Sequence, residues 1–145
     1  MEWAILAFFV CKDTPMCHYA EQYGEPITQN MITADQLKDI QERAEALHRY
    51  LDIDHKRVEL EEEELRTQAP DFWDDPARAQ EQMKKVKGIE KWIVGYKEVR
   101  QAADELQLAF DFYHDDMVTE EEVDADYNRA IEAIEDLELK NMLRQ

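Results

Sequence analysis

The heptapeptide Pro70-Asp71-Phe72-Trp73-Asp74-Asp75-Pro76 breaks the chain between two long helical patterns and sets its fold class. Pro70 pushes Ala69 out of helical angles and closes the pattern before it. Asp75 followed by Pro76 opens the next one, an oxygen-bearing cap with proline at the first helical position. Between them, Phe72 and Trp73 stand side by side among carboxylates. In so short a connection the two rings are expected to fold back and pin the flanking helices together.

Upstream, Thr33 and Gln36 form a T-x-x-Q capping box. Leu37, Ile40, Ala44, Leu47 and Leu51 then recur at three- and four-residue spacing, an apolar stripe on one helix face. The pattern loosens at Asp52-Ile53-Asp54 and resumes through Val58 and Leu65, which predicts a bent helix or two helices over residues 34–68. Glu61 to Glu64 is read as a solvated face. Downstream, Met83, Val86, Ile89, Ile93, Tyr96, Ala103, Leu106, Phe110 and Tyr113 hold near-heptad spacing. Thr119 with Glu122 caps a last helix through Val123, Tyr127, Ala130, Ile134 and Leu137. No alternating β-branched run follows residue 31. The reading is all-α: an antiparallel three-helix bundle with long arms, its first helix bent or split.

A chain of 145 residues has room for one domain with a modest core. Its formal charge of −18 opposes nonspecific binding to a polyanion, so no direct nucleic-acid binding is expected from this segment. The absence of serine removes every serine-nucleophile mechanism. Glycine occurs only at 24, 88 and 95, too sparsely for a phosphate-cradling loop. Gly88 and Gly95 fall inside the second helical pattern, seven apart, where they either admit a close neighbour or are simply tolerated. Cys11 and Cys17 with His18 miss zinc-site spacing and read as reduced thiols. Trp3 to Val10 is an apolar run too short to cross a bilayer, and it lacks the basic flank of a signal peptide.

Other constellations weigh little. His48, Asp52 and His55 share a face only if their helix is continuous, and no fourth metal ligand is evident. Asp111 to Glu122 has the length of an EF-hand loop, but Tyr113 and Asp116 occupy positions that need an oxygen ligand and a glycine. Carboxylate pairs abound, yet acid–base catalysis needs two in a cleft with split pKa values. No catalytic, cofactor-binding or metal site is assigned. Trp73 and Trp92 are candidate partner anchors, although packing between helices is the simpler reading of both.

Several stretches carry a family resemblance. They are Leu47-His48-Arg49-Tyr50-Leu51-Asp52, Lys56-Arg57-Val58-Glu59-Leu60-Glu61-Glu62, the run from Pro70 through Pro76 to Gln80, and Leu137-Glu138-Leu139-Lys140-Asn141-Met142-Leu143. From Met31 to its end the chain resembles the N-terminal helical domain of the bacterial class I peptide chain release factor two. The resemblance implies residues 31–145 as that domain, with residues 1–30 an upstream extension or leader expected to be poorly ordered. Full-length members read stop codons on the ribosome and trigger peptidyl-tRNA hydrolysis through Ser-Pro-Phe and Gly-Gly-Gln tripeptides. Neither tripeptide occurs here. The implied role is therefore a non-enzymatic, cytoplasmic docking module for translation termination, needing no cofactor and no membrane. Its implied partners are the ribosome at the large-subunit stalk base and the recycling GTPase. The competing reading is a free-standing acidic helical adaptor for protein partners.

Overall fold

In the computed structural model, which describes residues 32–144, the apolar periodicities resolve into α-helices. The described residues hold four of them and no strand: α1 Ala34–Leu51, α2 Ile53–Thr67, α3 Pro76–His114 and α4 Glu120–Arg144. The fold is all-α. Expectations for residues 1–30, including the apolar run, Cys11, Cys17 and His18, fall outside the described residues.

The first helical stretch is split, and one residue splits it. Asp52 adopts left-handed angles (φ 49°, ψ 55°), and its N–H still closes α1 by donating to the carbonyls of Arg49 and His48. In a continuous helix Leu51 and Ile53 would point ~200° apart. The kink lets both bury completely. Aspartate tolerates this conformation better than most residues because its short polar side chain fits there.

The 39 residues of α3 form a spine about 58 Å long at ~1.5 Å per residue. Against its C-terminal half run α1 and α4, both antiparallel to it. Gln41 donates to Gln107 at 2.7 Å, and Arg100 reaches Glu45 at 3.2 Å. Along the α3–α4 hairpin, Tyr113 donates to Glu120 at 2.8 Å and Arg129 reaches Glu105 at 3.4 Å. Arg43 of α1 grips Glu138 of α4 through two bonds, at 3.1 and 2.7 Å. That fork is partly shielded from water and is worth on the order of 1 kcal/mol after screening. Between these helices lies the main core, with Ile40, Leu47, Leu51, Val99, Leu106, Val123 and Ile134 among its most buried members.

All three start signals are built as the sequence reads. Thr33 and Gln36 make the reciprocal capping box, and Thr119 and Glu122 make the second. Asp75 Oδ1 accepts from the N–H groups of Ala77 and Arg78 at 3.1 and 3.2 Å, with Pro76 in the first turn. Gly95 admits α4 closely, since a β-carbon there would sit 3.1 Å from Leu137 Cδ1. Gly88 faces open space within 4 Å.

The N-terminal half of α3 pairs with α2 to form a two-helix arm. Here the apolar reading needs correction. Val58 and Leu65 are 56% and 64% exposed, so they do not continue the core stripe of α1. The kink at Asp52 resets the helical phase. The inward face of α2 is then Ile53, Leu60 and Glu63, spaced i, i+7 and i+10.

Candidate docking surface

At the far end of the arm, α2 stops at Thr67 and the chain turns through Ala69 to Asp75. Phe72 N–H donates to Ala69 O at 3.0 Å, and Asp74 N–H donates to Asp71 O at 3.1 Å. These bonds wind Phe72–Asp74 into one 3-10 turn. Three residues per turn set Phe72 and Trp73 on different sides of it. Phe72 is half-buried, whereas Trp73 stands 69% exposed and meets the Phe72 ring edge-on at 4.9 Å. The expected staple is therefore wrong for Trp73: the tight turn presents the indole to solvent instead of returning it to the helices. Beneath the tip is an open pocket of about 430 Å³, lined by Arg66, Ala69, Phe72, Asp74 and Arg78 among others.

Behind the tip, one carboxylate takes a position that an apolar side chain normally fills. Glu63 is only 4% exposed. Its Oε1 accepts from Lys85 Nζ at 2.7 Å and lies 3.1 Å from Arg66 Nη1, while its Oε2 accepts from Gln82 Nε2 at 2.6 Å. Gln82 also donates to the Glu63 carbonyl at 3.0 Å, tying α3 to the backbone of α2. The Lys85 hydrogen bond, then that of Gln82, holds the Glu63 carboxyl below the usual carboxylate range, against an opposing push from desolvation. The covering is shallow, made by those partner side chains in a two-helix arm rather than by a deep core. Glu61 to Glu64 is thus not uniformly a solvated face. The signal for Glu63 was its shared phase with Ile53 and Leu60.

The remaining candidates separate. The break at Asp52 takes His48 and His55 off a common face; His48 packs edge-on against Tyr96 at 5.1 Å, and its Nε2 lies 3.4 Å from Asp54 Oδ1. Among the described residues no group of three or more His, Cys, Asp or Glu side chains is placed to hold a metal ion. In the α3–α4 turn, Glu122 is spent on its cap and Glu120 accepts from Tyr113, a bond that raises the phenol pKa. Trp92 is half-buried against the core, with Arg144 5.1 Å and Lys91 5.9 Å from its ring centre. None of the described helices is long and apolar enough to cross a membrane. What this geometry offers is a slender arm with an aromatic tip, suited to contact rather than to enclosing a substrate.

Sequence comparison assigns that architecture a class. Residues 55–145 match the PCRF domain family, and the chain belongs to it. Curated relatives called Peptide chain release factor 2 include that of Bordetella avium (strain 197N), 36% identical over 117 residues, 79% of this chain and 31% of the relative. That of Tolumonas auensis is 32% identical over 113 residues, 74% of this chain and 30% of the relative. The Aeromonas hydrophila subsp. hydrophila protein is 31% identical over 106 residues, 73% of this chain and 28% of the relative. The chain spans about 30% of the length of these curated relatives.

Proposed function

We propose that this chain serves as the N-terminal, non-catalytic docking module of a translation release factor, acting in the cytoplasm during stop-codon-dependent termination. The observation that carries the reading is the family match over residues 55–145, joined by relatives bearing the release factor 2 name along most of the chain. The shape is in keeping with it. A module that docks needs a rigid reach and a contact point, and the α2–α3 arm supplies both, ending in the exposed Trp73. Exposed aromatics concentrate binding energy when a partner desolvates them. In this reading the partner at the tip is protein at the base of the large-subunit stalk, with the recycling GTPase as a second contact. The domain boundary follows the same reading, with residues 31–145 as the module and residues 1–30 as an upstream extension.

Cosedimentation with bacterial ribosomes tests the proposal. The purified chain is expected to pellet with ribosomes at low salt and to compete feebly with an intact factor, because a single module lacks the effective-concentration gain of linked domains. It should release no peptide from stop-programmed ribosomes. Codon-dependent release by the chain alone, or failure to associate with ribosomes at any salt, refutes the reading.

A further inference from the structure

Midway along the arm the charge of the molecule reverses locally. Residues 84–91 read Lys-Lys-Val-Lys-Gly-Ile-Glu-Lys, four lysines against one glutamate in a chain of formal charge −18. Lys85 is committed to Glu63 at 2.7 Å. Lys84, Lys87 and Lys91 are exposed, and at i, i+3 and i+7 they share one face of α3. Among the described residues these three form no ion pair, although Glu81 and Glu90 lie on the same helix; most of the other ion pairs sit along α1, α2, α4 and the C-terminal half of α3. Gly88 stands between them with nothing within 4 Å of its missing β-carbon, so the helix surface is open there. At one end of the stripe Arg144 stacks on Trp92, beside Lys91.

We propose that Lys84, Lys87 and Lys91, extended by Arg144, form a phosphate-contacting stripe that seats a segment of RNA backbone. Lys84 and Lys91 are seven residues apart, ~10.5 Å along the helix axis. That separation covers about three nucleotides at ~3.4 Å rise per strand. Lysine binds phosphate as a point charge and needs no fixed fork geometry. The Trp92 ring already has cations against it and belongs partly to the core, so the stripe reads backbone charge and not base identity. The surrounding acidic surface repels any polyanion that approaches elsewhere, which confines contact to this stripe. RNA is preferred over an acidic protein because this inference rests on the ribosome-docking reading above.

The test compares the full chain with a Lys84→Gln/Lys87→Gln/Lys91→Gln variant, using a fluorescent 12-nucleotide RNA and, separately, whole ribosomes. Circular dichroism checks that both proteins are equally helical. The wild-type chain is expected to bind the RNA in a salt-dependent way, and the triple variant should lower the slope of log K against log[salt] by about 3, one per lost phosphate contact. A Lys38→Gln/Lys97→Gln control should leave that slope unchanged. Equal binding and equal slope in the triple variant overturn the stripe, as does polyglutamate competing as well as RNA of equal charge. If the chain pellets with ribosomes and the triple variant pellets equally, the stripe fails while the docking reading stands. If ribosome association is absent but RNA binding depends on the three lysines, the docking reading fails and the stripe stands.

Discussion

Gly88 and Gly95 sit two turns apart on α3 and pose the same substitution in two environments. Alanine at either site gains about 1 kcal/mol of helix propensity over glycine. At Gly88 a new β-carbon meets nothing within 4 Å, so Gly88→Ala should realise the whole gain and raise Tm by roughly 2–4 °C. At Gly95 the β-carbon lands 3.1 Å from Leu137 Cδ1, and Leu137 is itself buried with little room to withdraw. Overpacking of that kind costs about 1–3 kcal/mol. Gly95→Ala should therefore come out between neutral and about 2 kcal/mol destabilising. Urea unfolding followed by far-ultraviolet circular dichroism reads both variants on one scale, with an unchanged m-value showing that only stability moved. Equal stabilisation by the two alanines would mean that α4 does not approach α3 at Gly95, and the hairpin packing described above would be wrong.

Trp73→Ala should change stability by no more than about 0.5 kcal/mol, as expected of an exposed side chain, while weakening ribosome cosedimentation; a loss of about 3 kcal/mol or more in the same urea assay would restore the stapling role. The folded-state pKa of Glu63 is depressed, so its contribution is complete above the unfolded carboxyl value near ~4.3 and disappears as pH falls through the folded value. Urea midpoints measured from pH 6 down to pH 3 should fall for the wild type and fall less steeply for Glu63→Gln; superimposable profiles would remove the Lys85 and Gln82 clamp from the account. Asp52→Val should cost about 1–2 kcal/mol because a β-branched residue resists left-handed angles, whereas Asp52→Gly should be neutral or stabilising. A thermal melt that ranks them in the opposite order would place the kink elsewhere.

Most of the main core was legible because helical phase is a property of the chain itself. Leu37, Ile40, Ala44, Leu47 and Leu51 are all buried, and so are Val123, Ala130, Ile134 and Leu137. The caps were legible for the same reason, since each needs only a side-chain oxygen two or three residues before the N–H it accepts from. Val58 and Leu65 were misread because one left-handed residue shifted the phase, and a hydrophobicity pattern carries no record of φ. Once Asp52 is known to be left-handed, the inward positions of α2 follow from Ile53 onward. Glu63 then falls on the inner face without any appeal to hydrophobicity.

The surface was harder to read, because its chemistry depends on which charges find partners. Net charge sums over the molecule, whereas a ligand meets a patch a few ångströms across. Lys84, Lys85, Lys87 and Lys91 look alike in the sequence, yet Lys85 neutralises a buried carboxylate while the other three form no ion pair among the described residues. At physiological salt the Debye length is ~8 Å, so most of the carboxylates that make up the −18 are screened from a ligand on that stripe. The Trp73 tip follows the same logic. Its two aromatics were visible, but the 3-10 turn that buries half of Phe72 and exposes Trp73 arises from backbone bonds between Ala69 and Phe72 and between Asp71 and Asp74. An acidic module can thus carry a protein-facing aromatic tip and a phosphate-facing stripe on one arm, because local pairing, not overall charge, decides what each surface contacts.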